Sequence, residues 1–226
     1  MYLDIYYIIL VIPAILLSVY AQHKVNSTFN KYANVLSQRG LTACDVAKMI
    51  LQRNGLDYIP IEHINGKLSD HYDPKAKVIR LSDSVYNSTS IASIGVAAHE
   101  CGHAIQHATS YSPLSIRNSI YPVVNISSNL SMPLIILGFI LGIANLVEIG
   151  IILFAAVVLF QIITLPVEFN ASRRALAILD ENGILASDEL KSTKKVLSAA
   201  ALTYVAAAIV AVANLLRLIL IFRDRD

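Results

Sequence analysis

Charge is scarce in this sequence. Of its 226 residues only 15% are Asp, Glu, Lys or Arg, against 55% hydrophobic. With a mean hydropathy of +0.58, that balance excludes an ordinary soluble domain. Cysteine is scarce too: Cys44 and Cys101 lie far apart, which argues against a structural disulfide and fits a reducing compartment. No Lys/Arg-rich run is interleaved with aromatics and the formal net charge is only +2, so nucleic acid is not expected as a partner. No basic stretch precedes the first apolar run, which opens Met1-Tyr2-Leu3-Asp4, and a retained anchor is expected rather than a cleaved secretory signal. Internal repeats and low-complexity linkers are absent.

The apolar residues gather in three places, 3–21, 133–167 and 199–222, each long enough to cross a hydrocarbon core of about 30 Å. The middle stretch is about twice the minimum for one crossing. It carries a single charge, Glu148, and predicts a hairpin of two short spans turning at 145–150. Between the spans the chain is polar. Residues 25–36 continue the first helix until Gly40 breaks it. Thr42 caps an amphipathic helix with Val46, Met49 and Ile50 at helical spacing, ending at Asn54-Gly55. Two extended runs, 58–63 and 77–81, flank an Asp-rich loop and predict a small, irregular β-ribbon. Asn87-Ser88-Thr89 supplies capping chemistry for a largely apolar helix from about 90 to 108. Pro113 and Pro122 bracket a polar stretch, 112–131, that reads as a surface helix near the membrane. A further helix is expected from Glu168 to Asp180, stopped by Asn182-Gly183. Ser187 with Asp188 and Glu189 then caps a last helix running into the Ala-rich final span, whose small residues suit close packing.

The buried-looking helix contains His99-Glu100-Cys101-Gly102-His103, the H-E-x-x-H pattern. Residues four apart share one helix face, so both imidazoles can reach a single Zn²⁺ while Glu100 serves as general base toward the water. An unpaired carboxylate on an apolar helix is otherwise costly, which favours a chemical role for Glu100. A catalytic zinc needs a third protein ligand. His107 is nearest, but about 12 Å of axial rise separates it from His99, too far for one ion, and it is assigned an orienting or structural role. A third histidine six residues after the second would fall at position 109, which is Thr, so the metzincin arrangement is excluded. Glu168 is the better candidate: a hairpin that crosses twice returns it to the side of His103, and His₂Glu is a standard catalytic set. The competing reading is a helix-start carboxylate favoured by the macrodipole. Asn170 and Ser172 are candidates to orient an imidazole, and Arg173 or Arg174 to neutralise the site or hold substrate; all four equally suit a solvated face. His71, in Asp70-His71-Tyr72-Asp73-Pro74, is a candidate transition-state donor or second-metal ligand, or simply a residue that organises a turn.

These motifs give the chain a resemblance to the YugP-type neutral zinc metallopeptidases of bacterial membranes. It rests on residues 69–74, 78–82, 97–107 and 168–175 and, with the span pattern, covers essentially the whole chain. More distantly, the order of parts is similar to the HtpX and CAAX-prenyl-protease zincins, in which a membrane hairpin separates the two-His helix from a Glu ligand. The resemblance implies His99, His103 and Glu168 as ligands and Glu100 as catalyst, and an edge strand, expected at 77–81, that pairs with extended substrate. Ser172 departs from the broader pattern, standing where an Asp four residues after the ligand Glu is usual.

The expected protein is thus a mainly α polytopic membrane protein with about four transmembrane helices and a small zincin-like α+β catalytic domain. Its parts are an anchor (1–21), a catalytic domain (22–132), a hairpin (133–167), a third-ligand helix and loop (168–198), and a final span with its tail (199–226). It is expected to hold one Zn²⁺ per chain and to hydrolyse protein or peptide substrates in a bacterial cell membrane, with the lipid bilayer and other membrane proteins as further partners. Lys24, Lys31, Arg39 and Arg117, with Arg173, Arg174, Lys191, Lys194 and Lys195, flank the catalytic side. Only Arg223 and Arg225, with Arg217 able to snorkel, mark the other, so the positive-inside rule puts the site in the cytoplasm. The competing class is a non-enzymatic membrane scaffold or adaptor with a structural zinc. A metal transporter fits less well, because the spans are nearly bare of His, Asp and Glu.

Overall fold

The computed structural model describes residues 4–224; Met1, Tyr2, Leu3, Arg225 and Asp226, which entered the span and charge readings above, lie outside the described residues. A π-helical turn, Tyr7–Val11, leads into α1 (Ile12–Tyr32), followed by α2 (Ala43–Arg53), β1 (Ile61–Ile64), β2 (His71–Asp73), β3 (Val78–Ser82), α3 (Ile91–Ala108), α4 (Ser112–Leu141), α5 (Ala144–Glu181) and α6 (Ser187–Arg223). Among the described residues four stretches, Tyr7–Tyr32 and the whole of α4, α5 and α6, are long and apolar enough to cross a membrane. The chain is a mainly α polytopic membrane protein with one small sheet among the described residues. It divides into two compact units, His23–Tyr111 with Val167–Ala201, and Met1–Gln22 with Ser112–Pro166 and Leu202–Asp226.

The first unit is built on α2 and α3. Thr42 caps α2 by accepting from the Asp45 N–H at 3.1 Å. Ser90 caps α3 in the same way through Ser93, one residue beyond the expected Asn87-Ser88-Thr89. Val46, Ala47 and Ile50 of α2 and Ile94, Ala97, Ala98 and Cys101 of α3 belong to one buried apolar cluster. Both cysteines are free and buried. Burial pushes the Cys101 thiol well up from its ordinary pKa.

The sheet differs from the expected ribbon. It has three strands in the order β1-β3-β2, with β1 parallel to β3 and β2 antiparallel to it, Tyr72 facing Ile79. The missing strand lies in the loop between the two extended runs. Asp73 makes the β2–β3 turn, its Oδ1 accepting from the N–H groups of Lys75 and Ala76, and Lys77 completes it at φ 52°. Arg80 then links the strands, reaching Glu62 at 2.9 Å and Asp73 at 3.0 Å. The run 77–81, expected as an edge, is therefore central and paired on both sides. The edge beside α3 is β2.

In the second unit, α4 and α5 pack through glycines: a Cβ on Gly138 would meet Val147 Cγ2 at 2.6 Å and one on Gly150 would meet Ser131 O at 2.9 Å. The turn between them falls at Gly142 and Ile143, not at 145–150. Gly142 takes φ 69° and the Ile143 N–H bonds to Gly138 O at 2.9 Å, a Schellman closure that only a residue tolerant of positive φ makes cheaply. Nor is 112–131 a separate surface helix, since α4 runs on through Pro122 and Pro133. Both prolines are exposed, and each removes one backbone donor without disturbing the buried stripe Val124, Ser127, Ser131, Ile135 and Gly138. Arg217 does not snorkel freely, because it forks onto Asp4, Nη2 to Oδ2 at 2.6 Å and Nε to Oδ2 at 2.9 Å.

Candidate metal centre

One side of α3 is assembled from Gly95, His99, Gly102, His103 and Gln106, at spacings of three and four residues. Two of these are glycines because helix backbones come close there. A Cβ on Gly102 would stand 2.7 Å from Ala171 O, and one on Gly95 would stand 2.6 Å from the Thr193 methyl. The Gly102 contact brings the Val167–Glu181 part of α5 onto the two histidines. Glu168 is not the start of a helix, as expected, but an interior residue of α5, which passes Pro166 without a break. The helix-start reading of its carboxylate is thereby removed.

His99, His103 and Glu168 converge, with one ligand atom from each lying within 4.8 Å of the others. Glu168 Oε2 is 3.2 Å from His99 Nε2 and 3.5 Å from His103 Nε2. Ligands at zinc distances of about 2.0–2.2 Å on a tetrahedron are separated by about 3.3–3.6 Å, so these spacings and this donor set fit the ion. The three side chains are 14%, 13% and 4% exposed, dry enough for charge to matter and open enough on the histidine side for a reactant.

The other ring nitrogens are held. Ser172 Oγ meets His99 Nδ1 at 3.1 Å. Gln106 is fully buried. Its Nε2 donates to Val167 O at 2.8 Å and to Asn170 Oδ1 at 3.0 Å. Its Oε1 must then face His103, and the 3.0 Å contact to Nδ1 puts a proton on Nδ1 and turns Nε2 toward Glu168. Asn170 is fixed in turn by Arg174 Nε at 2.8 Å. Burial opposes charge on His103, but the Glu168 hydrogen bond and the Glu100 and Glu168 charges outweigh it and hold the imidazole pKa above its ordinary value.

Glu100 is buried on the next face of α3, and one oxygen, Oε2, accepts from the Tyr72 N–H of β2 at 2.9 Å. Asp70, just before β2, accepts from Ser82 N at 2.7 Å and Ser82 Oγ at 3.0 Å, which fixes the end of β3. Burial pushes the Asp70 carboxyl up, against those two bonds, and the charge of Glu100 adds to the rise. Burial also drives the Tyr72 hydroxyl up to about 12, with Tyr58 and Asp73 contributing.

Of the residues singled out in the sequence, His99, His103, Glu168, Ser172 and, through Gln106, Asn170 meet in one place. His107 lies outside it, with Nδ1 2.8 Å from the Tyr72 hydroxyl. His71 opens β2, exposed, with Nδ1 2.8 Å from Ser69 O. Arg173 is exposed, while Arg174 reaches Asn170 and stacks 5.9 Å over Tyr111. Sequence reasoning missed Gln106 and the Tyr72 backbone. The signal for Gln106 was available: it follows His103 by three residues, on the same helix face.

The chain matches the family described as "Putative neutral zinc metallopeptidase" over residues 7–223. A Bacillus subtilis (strain 168) protein named "Putative membrane protease YugP" is 51% identical over 216 residues, covering 96% of each chain. No solved structure matches.

Proposed function

The chain belongs to the neutral zinc metallopeptidase family, and from that premise we propose that it is a membrane-integral endopeptidase that hydrolyses protein or peptide substrates at the His99, His103 and Glu168 site. The observation that carries this reading is the convergence of His99 Nε2, His103 Nε2 and Glu168 Oε2 beside a buried carboxylate, Glu100, with an oxygen to spare. These three side chains would hold one Zn²⁺ per chain. When bound, zinc supplies a Lewis acid that lowers the pKa of water and polarises a carbonyl.

The protein's own residues do the rest. Glu100 Oε2 is occupied by Tyr72, so Oε1 takes the proton from the attacking water and later delivers it to the leaving amine. Ser172 orients the His99 ring and Gln106 holds a proton on His103 Nδ1, so that both Nε2 atoms face the centre. Extended substrate lies along β2, whose outer edge carries Tyr72, rather than along the central β3. The weight of Lys and Arg around the first unit argues for a cytoplasmic site in a bacterial cell membrane.

The test is cleavage of unfolded protein by the zinc-loaded full chain beside Glu100→Gln. Activity should fall by about 10²–10⁴-fold with zinc content unchanged. Equal cleavage by the two proteins overturns the assignment. No cleavage by either, with zinc tightly held, favours the scaffold with a structural metal.

A further inference from the structure

Beyond Glu100, the same stripe of α3 continues as Ala104, His107 and Ala108, at i+4, i+7 and i+8. With Tyr72 of β2, Tyr58 and Lys77, they enclose an open cleft of about 100 Å³, room for several waters and hence for one side chain. It adjoins the candidate site through two of its walls. Tyr72 is the residue whose N–H reaches Glu100, and Ala104 adjoins His103. Side chains of a strand paired to β2 alternate in direction, so one in two would be aimed toward this wall.

The polar chemistry of the cleft is one-sided. The residues that line it include one lysine, two tyrosines and one histidine, and no Asp or Glu. Asp73, the nearest acid on β2, is committed to Arg80 and to the turn amides. Lys77 has no hydrogen-bond or ion-pair partner among the described residues. It also holds φ 52°, a left-handed position that costs a residue with a Cβ about 1–2 kcal/mol and that glycine fills more cheaply. A lysine without a partner among the described residues that lines a cleft beside Glu100 is placed for a ligand.

We infer that this cleft is a substrate subsite selecting a carboxylate, with Lys77 as the specificity-determining residue and the Tyr58 hydroxyl and one donor from the hydrogen-bonded Tyr72–His107 pair as neutral donors. It rests on the peptidase reading for its substrate. The carboxylate is that of an Asp or Glu side chain near the scissile bond, or the C-terminus of a short peptide.

The test uses the zinc-loaded full chain carrying Glu100→Gln, which binds without turnover. Its probes are fluorescein-labelled alanine-based octapeptides with one Glu, Gln or Lys in the middle, each as C-terminal acid and amide. Fluorescence anisotropy should show the Glu amide binding about three- to fivefold tighter than the Gln amide, the range of a partly exposed ion pair. Adding Lys77→Gln should erase the difference, and Lys77→Glu should transfer the advantage to the Lys peptide. An advantage confined to the acid forms, lost with Lys77, assigns the subsite to the chain terminus. Equal binding of all peptides, or a Glu preference that survives both Lys77 variants, overturns the inference. A preserved preference in a protein whose wild type cleaves nothing overturns the peptidase reading and leaves the subsite standing.

Discussion

Replacing Gln106 with Ala should weaken zinc binding without touching a ligand. The substitution removes the acceptor for His103 Nδ1 and the two donations to Val167 O and Asn170 Oδ1. Three buried hydrogen bonds at about 1 kcal/mol each put the stability loss near 3 kcal/mol, visible as a lower Tm in the zinc-free protein. Loss of an outer partner of a ligating histidine typically costs about 10–100-fold in metal affinity, which is about 1.4–2.7 kcal/mol. Glu at this position separates the two effects. Gln106→Glu retains an acceptor for His103 but turns a carboxylate against Val167 O and Asn170 Oδ1. Its Tm should therefore fall like that of the Ala variant, while its zinc affinity should remain closer to that of the parent. Zinc dissociation constants from competition with a chromophoric chelator, beside thermal melts with and without zinc, measure both. A Gln106→Ala protein that binds zinc within twofold of the parent refutes the orienting role. So does a folded Gln106→Glu protein that binds zinc as poorly as the Ala variant.

Gly102→Ala would drive a methyl to 2.7 Å from Ala171 O and 3.2 Å from its Cα and carbonyl carbon, backbone atoms that move only if α5 moves. Overpacking of this kind costs about 1–3 kcal/mol. Because Glu168 rides on α5, zinc affinity should drop at least about tenfold, whereas Gly95→Ala, which meets only a Thr193 methyl, should cost less; parental affinity in Gly102→Ala would contradict this geometry. The raised pKa of Asp70 means the folded state holds that proton more tightly than the unfolded one. Its contribution to stability is therefore fully present below the unfolded value near pH 4 and declines as pH rises through the folded value. Asp70→Asn should remove that decline in a pH series of denaturant melts, and an unchanged slope would show that another group sets it.

The candidate metal site was the most legible part of the sequence, because its signal is local: two histidines one turn apart on a helix with a capping residue ahead of it. Glu168 was legible only through topology, as the residue at which a twice-crossing hairpin returns. Its helical context was misread because the apolar run ends just before it, which looks like a helix boundary, whereas α5 runs on through Pro166 and past Glu168. The strand β2 escaped because it has three residues and sits in a segment rich in Asp and Pro. Its pairing partner comes from across a tight turn, and the parallel β1–β3 pairing depends on a crossover that no local pattern encodes. Gln106 escaped for another reason. A glutamine on an apolar helix is equally suited to solvent or to burial until its partners, here Val167 O and Asn170, come from a segment some sixty residues away.

All five residues of the His99–His103 pentapeptide are spoken for. The histidines face Glu168, Glu100 meets the Tyr72 amide, the Cys101 sulfur lies 3.6 Å from Ala47 O, and Gly102 admits Ala171. The two positions that the H-E-x-x-H pattern writes as free are thus the ones that fix how near α2 and α5 approach α3. In this setting the pattern carries more information than its three named letters. A chance occurrence on some other helix would satisfy the letters and lack the neighbours, so the side-chain size at the fourth position, read against the helix that bears the proposed third ligand, distinguishes a built site from a coincidence of spelling.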